Sequence, residues 1–216
     1  MHYFSYNEKK QHGTLDFPVA YYVVDSKHRP YSMPLHWHKE WELIYVTEGT
    51  IDYIVNGEHI PATAGDVILF SGGNLHSASS DSCSFQCLNF ELHELVLNVL
   101  SVREPFRLFY RNVYLPQIHY TQNNSNICKI TNELFSAFSD NHSEHFCKMS
   151  TLGNLTRLFA FILENKYYTE NSENTSNAFE KINQLKPVLE YIETHFSEEI
   201  KLNKELYDEC MKANID

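Results

Sequence analysis

Five short runs rich in β-branched and aromatic residues follow one another between residues 20 and 92, and this succession constrains the fold more than any other feature. The runs are AYYVVD (20–25), WELIYVT (41–47), TIDYIV (50–55), DVILF (66–70) and SFQCLNFEL (84–92). Turn-forming residues separate the later runs, at NGE (56–58), AGD (64–66) and SGGN (71–74). Short strands at a spacing of roughly ten residues predict an all-β sandwich or barrel.

The pattern changes to the period of amphipathic helices after residue 93. HELVLNVLS (93–101) predicts a short helix, and apolar residues recur near the 3.6 period over 126–138 and 145–167. These two longer helices are expected to pack as an antiparallel pair. The polar stretch TENSENTSN (169–177) predicts a linker. After it, a helix opening near Pro187 and a shorter one over 204–212 are expected.

Composition limits the classes of function. The chain has 17 Lys+Arg against 28 Asp+Glu, a formal net charge of -11, which is unfavourable for binding nucleic acid phosphates. No apolar run approaches the ~20 residues of a membrane span, and no signal peptide is recognisable, so we expect a cytoplasmic protein without membrane contact. The five cysteines lack a CxxC spacing and are expected to be reduced thiols.

His36, His38 and Glu42 are the candidate site residues. All three positions are even, so an unbroken strand would point them to one side, with Trp41, Leu43 and Tyr45 on the other. Two imidazoles and a carboxylate suit a divalent zinc, nickel, manganese or iron ion, and His76, after the turn SGGNL, is the candidate fourth ligand. If no metal binds, the same four residues are expected to act as polar anchors for a ligand.

Other histidines and aromatic residues carry weaker signals. His12, His28, His59 and His119 lack a partner pattern and are expected to be surface or structural residues. The group His142, His145 and Cys147 is expected to be an exposed helix start rather than a metal site. Aromatic residues on the strands could face a small ligand, a sugar ring included, or form ordinary core; they are Tyr22, Trp41, Tyr45, Tyr53, Phe70 and Phe90.

Two segments resemble the paired motifs of the cupin family. HWHKEWELIYVTEG (36–49) is similar to the first motif at His36, His38, Glu42 and Gly49, and GDVILFSGGNLH (65–76) is similar to the second at Gly65, Gly73 and His76. Ser71 stands where the family usually has proline, and Ser80 where asparagine is common, so the second match is the weaker. The resemblance implies a small β-barrel whose matching residues often bind a metal.

The order of segments resembles AraC-type transcriptional regulators. The implied fold class is α+β: a cupin-like β-barrel (jelly-roll), a helical hairpin and a short C-terminal helical segment. The implied divisions are an effector-binding barrel (1–115), a helical dimerisation segment (116–168), a linker (169–180) and the start of a helix-turn-helix DNA-binding domain (181–216). KPVLEYIETHFSEEIKL (186–202) is similar to the opening of that domain, but Tyr207 replaces the usual small residue. Two helix-turn-helix units need about a hundred residues, so a truncated domain is expected; the alternative is a helical hairpin packed on the barrel.

The resemblance implies a non-enzymatic region that binds a small effector, with a carbohydrate as one candidate, and forms a homodimer. DNA would be bound only through the full-length C-terminal domain. The helix over 145–167 would form the dimer interface, or else pack on the barrel; Leu152, Leu155 and Phe159 suit either. The alternative function is a metal-dependent cupin enzyme, an isomerase or dioxygenase, for which no separate general base is identifiable.

Overall fold

The structure, a computed structural model, describes residues 6–8, 10–97, 99–138 and 141–171, together with 186, 188, 189 and 191. Residues 186, 188, 189 and 191 are helical, as expected for the segment after Pro187. The remaining linker positions and the expected start of a DNA-binding domain lie outside the described residues.

Antiparallel strands form most of the described chain. They are β1 (Val19–Ser26), β2 (Tyr31–His36), β3 (Trp41–Val55), β4 (Glu58–Thr63), β5 (Val67–Phe70), β6 (His76–Ser80), β7 (Cys83–Phe90), β8 (Tyr114–Pro116), β9 (His119–Tyr120) and β10 (Tyr168–Glu170). One path of pairing runs β1-β7-β3-β5-β9, while β4 and β6 also pair with β3, and β2 pairs with β6. Separately, β8 pairs with β10.

β3 is one 15-residue strand where the sequence indicated two. Its first part, Trp41 to Gly49, pairs with β7, and residues 50–55 pair with β4. A bulge between Val46 and Glu48 and a positive φ of 73° at Gly49 mark the change of partner. A Cβ on Gly49 would lie 2.2 Å from the Ser82 carbonyl oxygen, so glycine permits both the conformation and the close approach. The strand thereby bends and closes the barrel without a break.

Strand alternation divides the apolar residues into two cores. Along β3, Ile44, Val46, Ile51, Tyr53 and Val55 belong to the core inside the barrel. Trp41 and Leu43 belong to a second core, between the sheet and the helices, and Tyr45 packs against it. The predicted opposition of Trp41, Leu43 and Tyr45 to Glu42 is therefore confirmed. VILF in β5 is buried at all four positions because it contributes to both cores.

Helices cover the outer face of the sheet. They are α1 (Leu92–Val96), α2 (Leu100–Tyr110), α3 (Ser125–Ser136) and α4 (Glu144–Glu164). The two predicted longer helices are confirmed, and Ser143 caps the second by accepting the backbone N–H of Phe146 at 3.3 Å. The sequence did not predict α2, which contains Pro105 in its interior. Phe106 and Phe109 anchor this helix against Phe159 of α4.

The C-terminal end of the described region departs from the expected boundaries in two places. Thr169 and Glu170, predicted to begin a linker, belong to β10. His119 and Tyr120, beyond the expected end of the barrel at residue 115, pair with β5 of the main sheet. The fold class itself is confirmed as α+β, a cupin-like barrel followed by helices. No helix in the described part of the chain has the length and apolar character to span a bilayer.

Candidate functional site

Three histidines meet at one end of the barrel. His36 ends β2, His38 follows it in the connection to β3, and His76 begins β6. One ring nitrogen from each lies within 4.8 Å of those of the other two, a grouping that could hold a metal ion. His38 is 2% exposed and His76 1% exposed, while His36 is half-buried. The structure thus brings together the three imidazoles predicted from the sequence.

Backbone carbonyl groups orient all three rings in the same way. The Nδ1 atom of His36 lies 2.9 Å from the Pro34 oxygen, that of His38 lies 3.1 Å from the Glu40 oxygen, and that of His76 lies 2.9 Å from the Asn74 oxygen. Because a carbonyl oxygen only accepts, each Nδ1 carries the proton and each neutral ring keeps its lone pair on Nε2. Histidines that ligate metals are usually held by such a hydrogen bond from the other ring nitrogen.

Glu42 lies against two of the three rings. Its Oε2 atom is 3.3 Å from Nε2 of His38 and 3.2 Å from Nε2 of His76. The carboxylate is buried, and Sγ of Cys87 lies 3.3 Å from its Oε1 atom. Glu42 is not part of the compact trio of imidazoles, but its carboxylate lies against Nε2 of two of them.

The charged states at the site follow from burial and from this carboxylate. Burial raises the pKa of Glu42, but His38 and His76 outweigh burial and hold that pKa well below its usual range. Burial lowers the pKa of His38, but the Glu42 carboxylate outweighs burial and the net shift is upward. The pKa of His36 is lowered by burial and then by the neighbouring His76. The part of the site around Glu42 therefore favours a positive charge, which a proton or a metal ion can supply.

The predicted geometry of one unbroken strand was wrong. β2 ends at His36 and β3 begins at Trp41, so the four residues between them form a connection in which Trp37 makes an isolated bridge with Asn7. Glu42, the second residue of β3, still lies beside His38, with its Oε2 atom 3.3 Å from Nε2. Parity along a strand therefore does not explain the clustering of His36, His38 and Glu42.

The loop before His76 is held by a close backbone approach. The N–H of Gly73 donates to the carbonyl oxygen of His38 at 2.7 Å. A Cβ on Gly72 would lie 1.8 Å from the Lys39 oxygen, so only glycine fits at this position. Asn74 donates to the Ser71 carbonyl oxygen at 2.5 Å and to its Oγ atom at 3.0 Å. The loop that carries His76 and the connection that carries His38 are thus locked together.

An N-terminal segment packs over the half-exposed side of the trio. Glu8 N–H donates to the Trp37 oxygen at 2.9 Å, and its Oε2 atom lies 3.5 Å from Nε2 of His36. The ring of His12 lies 5.5 Å from that of His38, and its Nδ1 atom is 3.0 Å from the hydroxyl oxygen of Tyr22. The Nζ atom of Lys186 lies 4.5 Å from the centre of the Trp37 ring. Two segments remote in sequence therefore border the site.

The sequence did not single out Glu8, Glu40 or Cys87, and His12 was expected to be a surface or structural residue. His12 is buried beside the trio. No spacing pattern connects residues 8 and 12 to the motifs, so no sequence signal could have placed them there. Glu40 stands between His38 and Glu42 in HWHKEW, and this position was the available signal.

The remaining expectations concern residues away from the trio. His28 and His59 are exposed, and His119 lies 3.1 Å from the Asp66 carboxylate. His142 lies just before α4, and His145 and Cys147 lie in its first turn; in the described residues only the trio forms a metal-sized group. Among the aromatic candidates, Tyr53 and Phe70 belong to the inner core, and Trp41 and Phe90 to the helix-side core.

Comparison with known proteins places this geometry in a family. The family model for the AraC-like ligand-binding domain matches residues 19–154. The HTH-type transcriptional regulator YdeC of Bacillus subtilis (strain 168) is 25% identical over 202 residues, which are 90% of this chain and 67% of that protein.

Solved structures of Bacillus subtilis oxalate decarboxylase also show similarity. A structure of its Mn(II) centres and a structure at pH 4.6 are each 24% identical, with a TM-score of 0.30. Each match covers 34% of this chain and 21% of the solved chain, so this chain spans about a fifth of their length. The family match, in contrast, extends from β1 into α4 and covers more than half of the chain. The chain belongs to the family of AraC-like ligand-binding domains.

Proposed function

We propose that this chain is the ligand-sensing and dimerisation region of an AraC-type transcription regulator, with a divalent metal ion held by its histidine trio. The family match and the helix-turn-helix relative support a role in regulation. The single observation that carries the metal site is the convergence of three oriented imidazoles, each with Nδ1 bound to a backbone carbonyl.

The donor set fits a borderline divalent cation. The Nε2 atom of His76 is buried and has no hydrogen-bond partner in the described part of the chain. Two ligands bound at ~2.1 Å to one metal lie roughly 3.0–3.4 Å apart, and Oε2 of Glu42 is 3.2 and 3.3 Å from the two neighbouring Nε2 atoms. Imidazoles with one carboxylate suit zinc, nickel, manganese or iron. His36, His38 and His76 would hold the ion, and Glu42 would complete its ligands or neutralise its charge.

The effector would be a small molecule bound at this end of the barrel, with a carbohydrate as one candidate. His36, His38, Glu42 and His76 would anchor it directly or through the metal. Loop 71–76 and the connection 37–40 are hydrogen-bonded to each other, so occupancy of the site would alter both. A change in effector occupancy would then bias the states available to the DNA-binding part of the regulator.

Dimerisation and the division of the chain complete the proposal. The proposed functional units are a barrel (1–115) to which β9 adds a strand, a helical segment (116–168), a linker (169–180) whose first two residues belong to β10, and a DNA-binding start (181–216). Leu155 and Phe159 are buried within the chain, so the dimer contact would use the opposite face of α4, where Met149 is 76% exposed. DNA would be reached through the helix-turn-helix domain, and the protein would act in the cytoplasm.

A metal-dependent cupin enzyme is the second candidate, because the same trio with Glu42 could polarise a substrate. The family favours the regulator, since neither the matched domain nor the named relative is described as an enzyme.

A reporter assay tests the sensing function. The whole 216-residue chain is fused to a DNA-binding domain that represses its reporter only as a dimer, and repression is measured with and without added zinc, nickel, manganese or iron. We expect repression by the fusion, and a metal-dependent change that is lost in His38→Ala and His76→Ala but kept in the exposed control His59→Ala. Equal responses in all variants would contradict the metal as the sensed or structural group, and no repression would contradict dimerisation.

A further inference from the structure

A separate cavity lies beside the histidine trio, beneath the N-terminal segment. Its volume is about 680 Å³, within the ~300–1,000 Å³ range of small-molecule sites. The walls come from N-terminal residues that include Glu8 and His12, from the connection residues Trp37 and Glu40, and from Glu91 at the end of β7. None of the four predicted site residues lines it.

Three residues that line this cavity each have one buried polar side-chain atom without a hydrogen-bond partner in the described residues. The atoms are Nε2 of His12, Nε1 of Trp37 and Oε2 of Glu40. His12 is 5% exposed and Glu40 is 2% exposed, so bulk water does not satisfy them. Two of these atoms are in ion-pair contact that is too long for a hydrogen bond: Oε2 of Glu40 is 3.6 Å from Nδ1 of His38, and Nε2 of His12 is 3.9 Å from Oε2 of Glu8. Buried polar groups without partners cost free energy, and several at one cavity indicate a polar ligand.

The charge of the walls selects the kind of ligand. Four carboxylates line the cavity, those of Glu8, Glu40, Glu91 and Glu94, against the two ammonium groups of Lys10 and Lys39. The pKa of Glu91 is raised by burial, and the Glu40 and Glu94 carboxylates raise it further, although Lys39 opposes them. An anionic ligand would be repelled, whereas a cationic ligand would relieve the repulsion among these groups.

The hydrogen-bonding groups of the lining residues add a second requirement for the ligand. The N–H of Trp37 only donates, so a ligand must present an acceptor to it. Glu40 only accepts when ionised, so the same ligand must present a donor there. Burial lowers the pKa of His12, which keeps its ring neutral and able to donate or accept at Nε2.

We propose that this cavity binds a small hydroxylated amine, with its ammonium group toward Glu40 and Glu91 and a hydroxyl oxygen toward the Trp37 N–H. The ligand would be a second effector, beside the one proposed at the histidine trio, so its regulatory role rests on the proposed sensing function. Its binding is linked to the trio through Glu40, whose carbonyl oxygen accepts the Nδ1–H of His38.

Three hexose derivatives with the same ring and different charge test the proposal. D-glucosamine is cationic, D-glucose neutral and D-glucuronate anionic. Isothermal titration calorimetry on the 216-residue chain is expected to show at least tenfold tighter binding of glucosamine than of glucose, with glucuronate weakest. Fluorescence gives an independent readout, since the chain has 2 tryptophans and Trp41 is buried in the helix-side core. The glucosamine response should therefore disappear in Trp37→Phe.

Variants that replace one carboxylate by an uncharged amide test whether glucosamine binds in this cavity. Glu40→Gln is expected to lower glucosamine affinity to that of glucose while glucose affinity stays unchanged. Glu91→Gln should act in the same direction, and it serves if Glu40→Gln does not fold by circular dichroism. Glu58→Gln removes an exposed carboxylate of β4 outside the cavity and should have no effect.

Two results would overturn the inference: equal or absent binding of the three sugars, or glucosamine binding that neither Glu40→Gln nor Glu91→Gln weakens. Because binding is measured directly, this failure is distinct from failure of the sensing function. A chain that dimerises and responds to metal in the reporter assay but does not bind glucosamine would lose only the cavity proposal.

Discussion

The Oε2 atom of Glu42 lies 3.2 Å from Nε2 of His76, although Nδ1 of the same ring is committed to the Asn74 carbonyl oxygen. In the neutral ring, Nε2 carries a lone pair and faces a carboxylate, which is unfavourable. A proton or a metal ion between them makes the contact favourable. The same relationship holds between Glu42 and His38. Protons and metal ions are therefore expected to compete at this site.

Stability of the metal-free protein should depend on pH through this pair. The pKa of Glu42 is lowered in the folded state. Its contribution to stability is therefore present above about pH 4.3 and lost as pH falls through the folded pKa. The pKa of His38 is raised in the folded state. Its contribution to stability is therefore present below about pH 6.5 and lost as pH rises through the folded pKa. With chelator present, Glu42→Gln should lower the free energy of unfolding, measured in urea, by about 3 kcal/mol at pH 5.5 and by clearly less at pH 9. A cost that stays constant or grows toward pH 9 would contradict the assignment.

Gly72→Ala should disturb the loop that carries His76. The added Cβ would lie 1.8 Å from the Lys39 oxygen, and both partners are backbone, so the loop must move. We expect a loss of about 2 kcal/mol in the free energy of unfolding, with weaker metal binding. Gly153→Ala in α4 is the matched control, because nothing lies within 4 Å of its added Cβ, and it should stabilise by up to ~1 kcal/mol. Similar urea midpoints for the two variants would be inconsistent with the close approach.

Phe159→Ala tests the packing of the helices on the barrel. The Phe159 ring lies 5.4 Å from Trp41, 5.2 Å from Phe106 and 4.9 Å from Phe109. Removing it should cost about 3–5 kcal/mol in chemical denaturation, as for other buried aromatic residues. Phe146→Ala, on the exposed side of the same helix, should change stability by less than about 0.5 kcal/mol. A small effect at Phe159 would mean that α2 and α4 pack less closely than the structure shows.

Met149→Asp should weaken the proposed dimer without unfolding the chain. Met149 is 76% exposed, so its replacement leaves the helix-side core intact, while a charge in an apolar interface is unfavourable. Light scattering after size exclusion should show a shift from dimer to monomer. Leu100→Asp, an exposed apolar position at the start of α2, is the control and should remain dimeric. An unchanged mass for Met149→Asp would place the interface elsewhere.

Local patterns in the sequence account for much of the fold. The alternation along β3 correctly placed Trp41, Leu43 and Tyr45 on the face opposite Glu42, because a two-residue period fixes the face once the strand exists. The helical period likewise located α3 and α4. It did not locate α2, because Pro105 normally ends a helix and the compensating contacts of Phe106 and Phe109 come from another element.

Tertiary contacts account for what the sequence could not predict at the site. His36, His38, Glu42 and His76 were identified from their spacing. The break between β2 and β3, where Trp37 bridges to Asn7, was not. His12, Glu8 and the cavity beneath them arise from a segment that has no motif. Its position is set by backbone hydrogen bonds to Trp37, which no local pattern reveals.

Calorimetric titration of the metal-free chain with zinc near pH 7.5 tests the central claim most directly. The account predicts about one ion bound per chain, with proton release, and at least ~100-fold weaker binding in His38→Ala and in His76→Ala. The exposed control His59→Ala should bind as the unmodified chain does. Binding of less than about a tenth of an equivalent, or equal affinity in the His38 and His76 variants, would contradict a metal centre at the histidine trio.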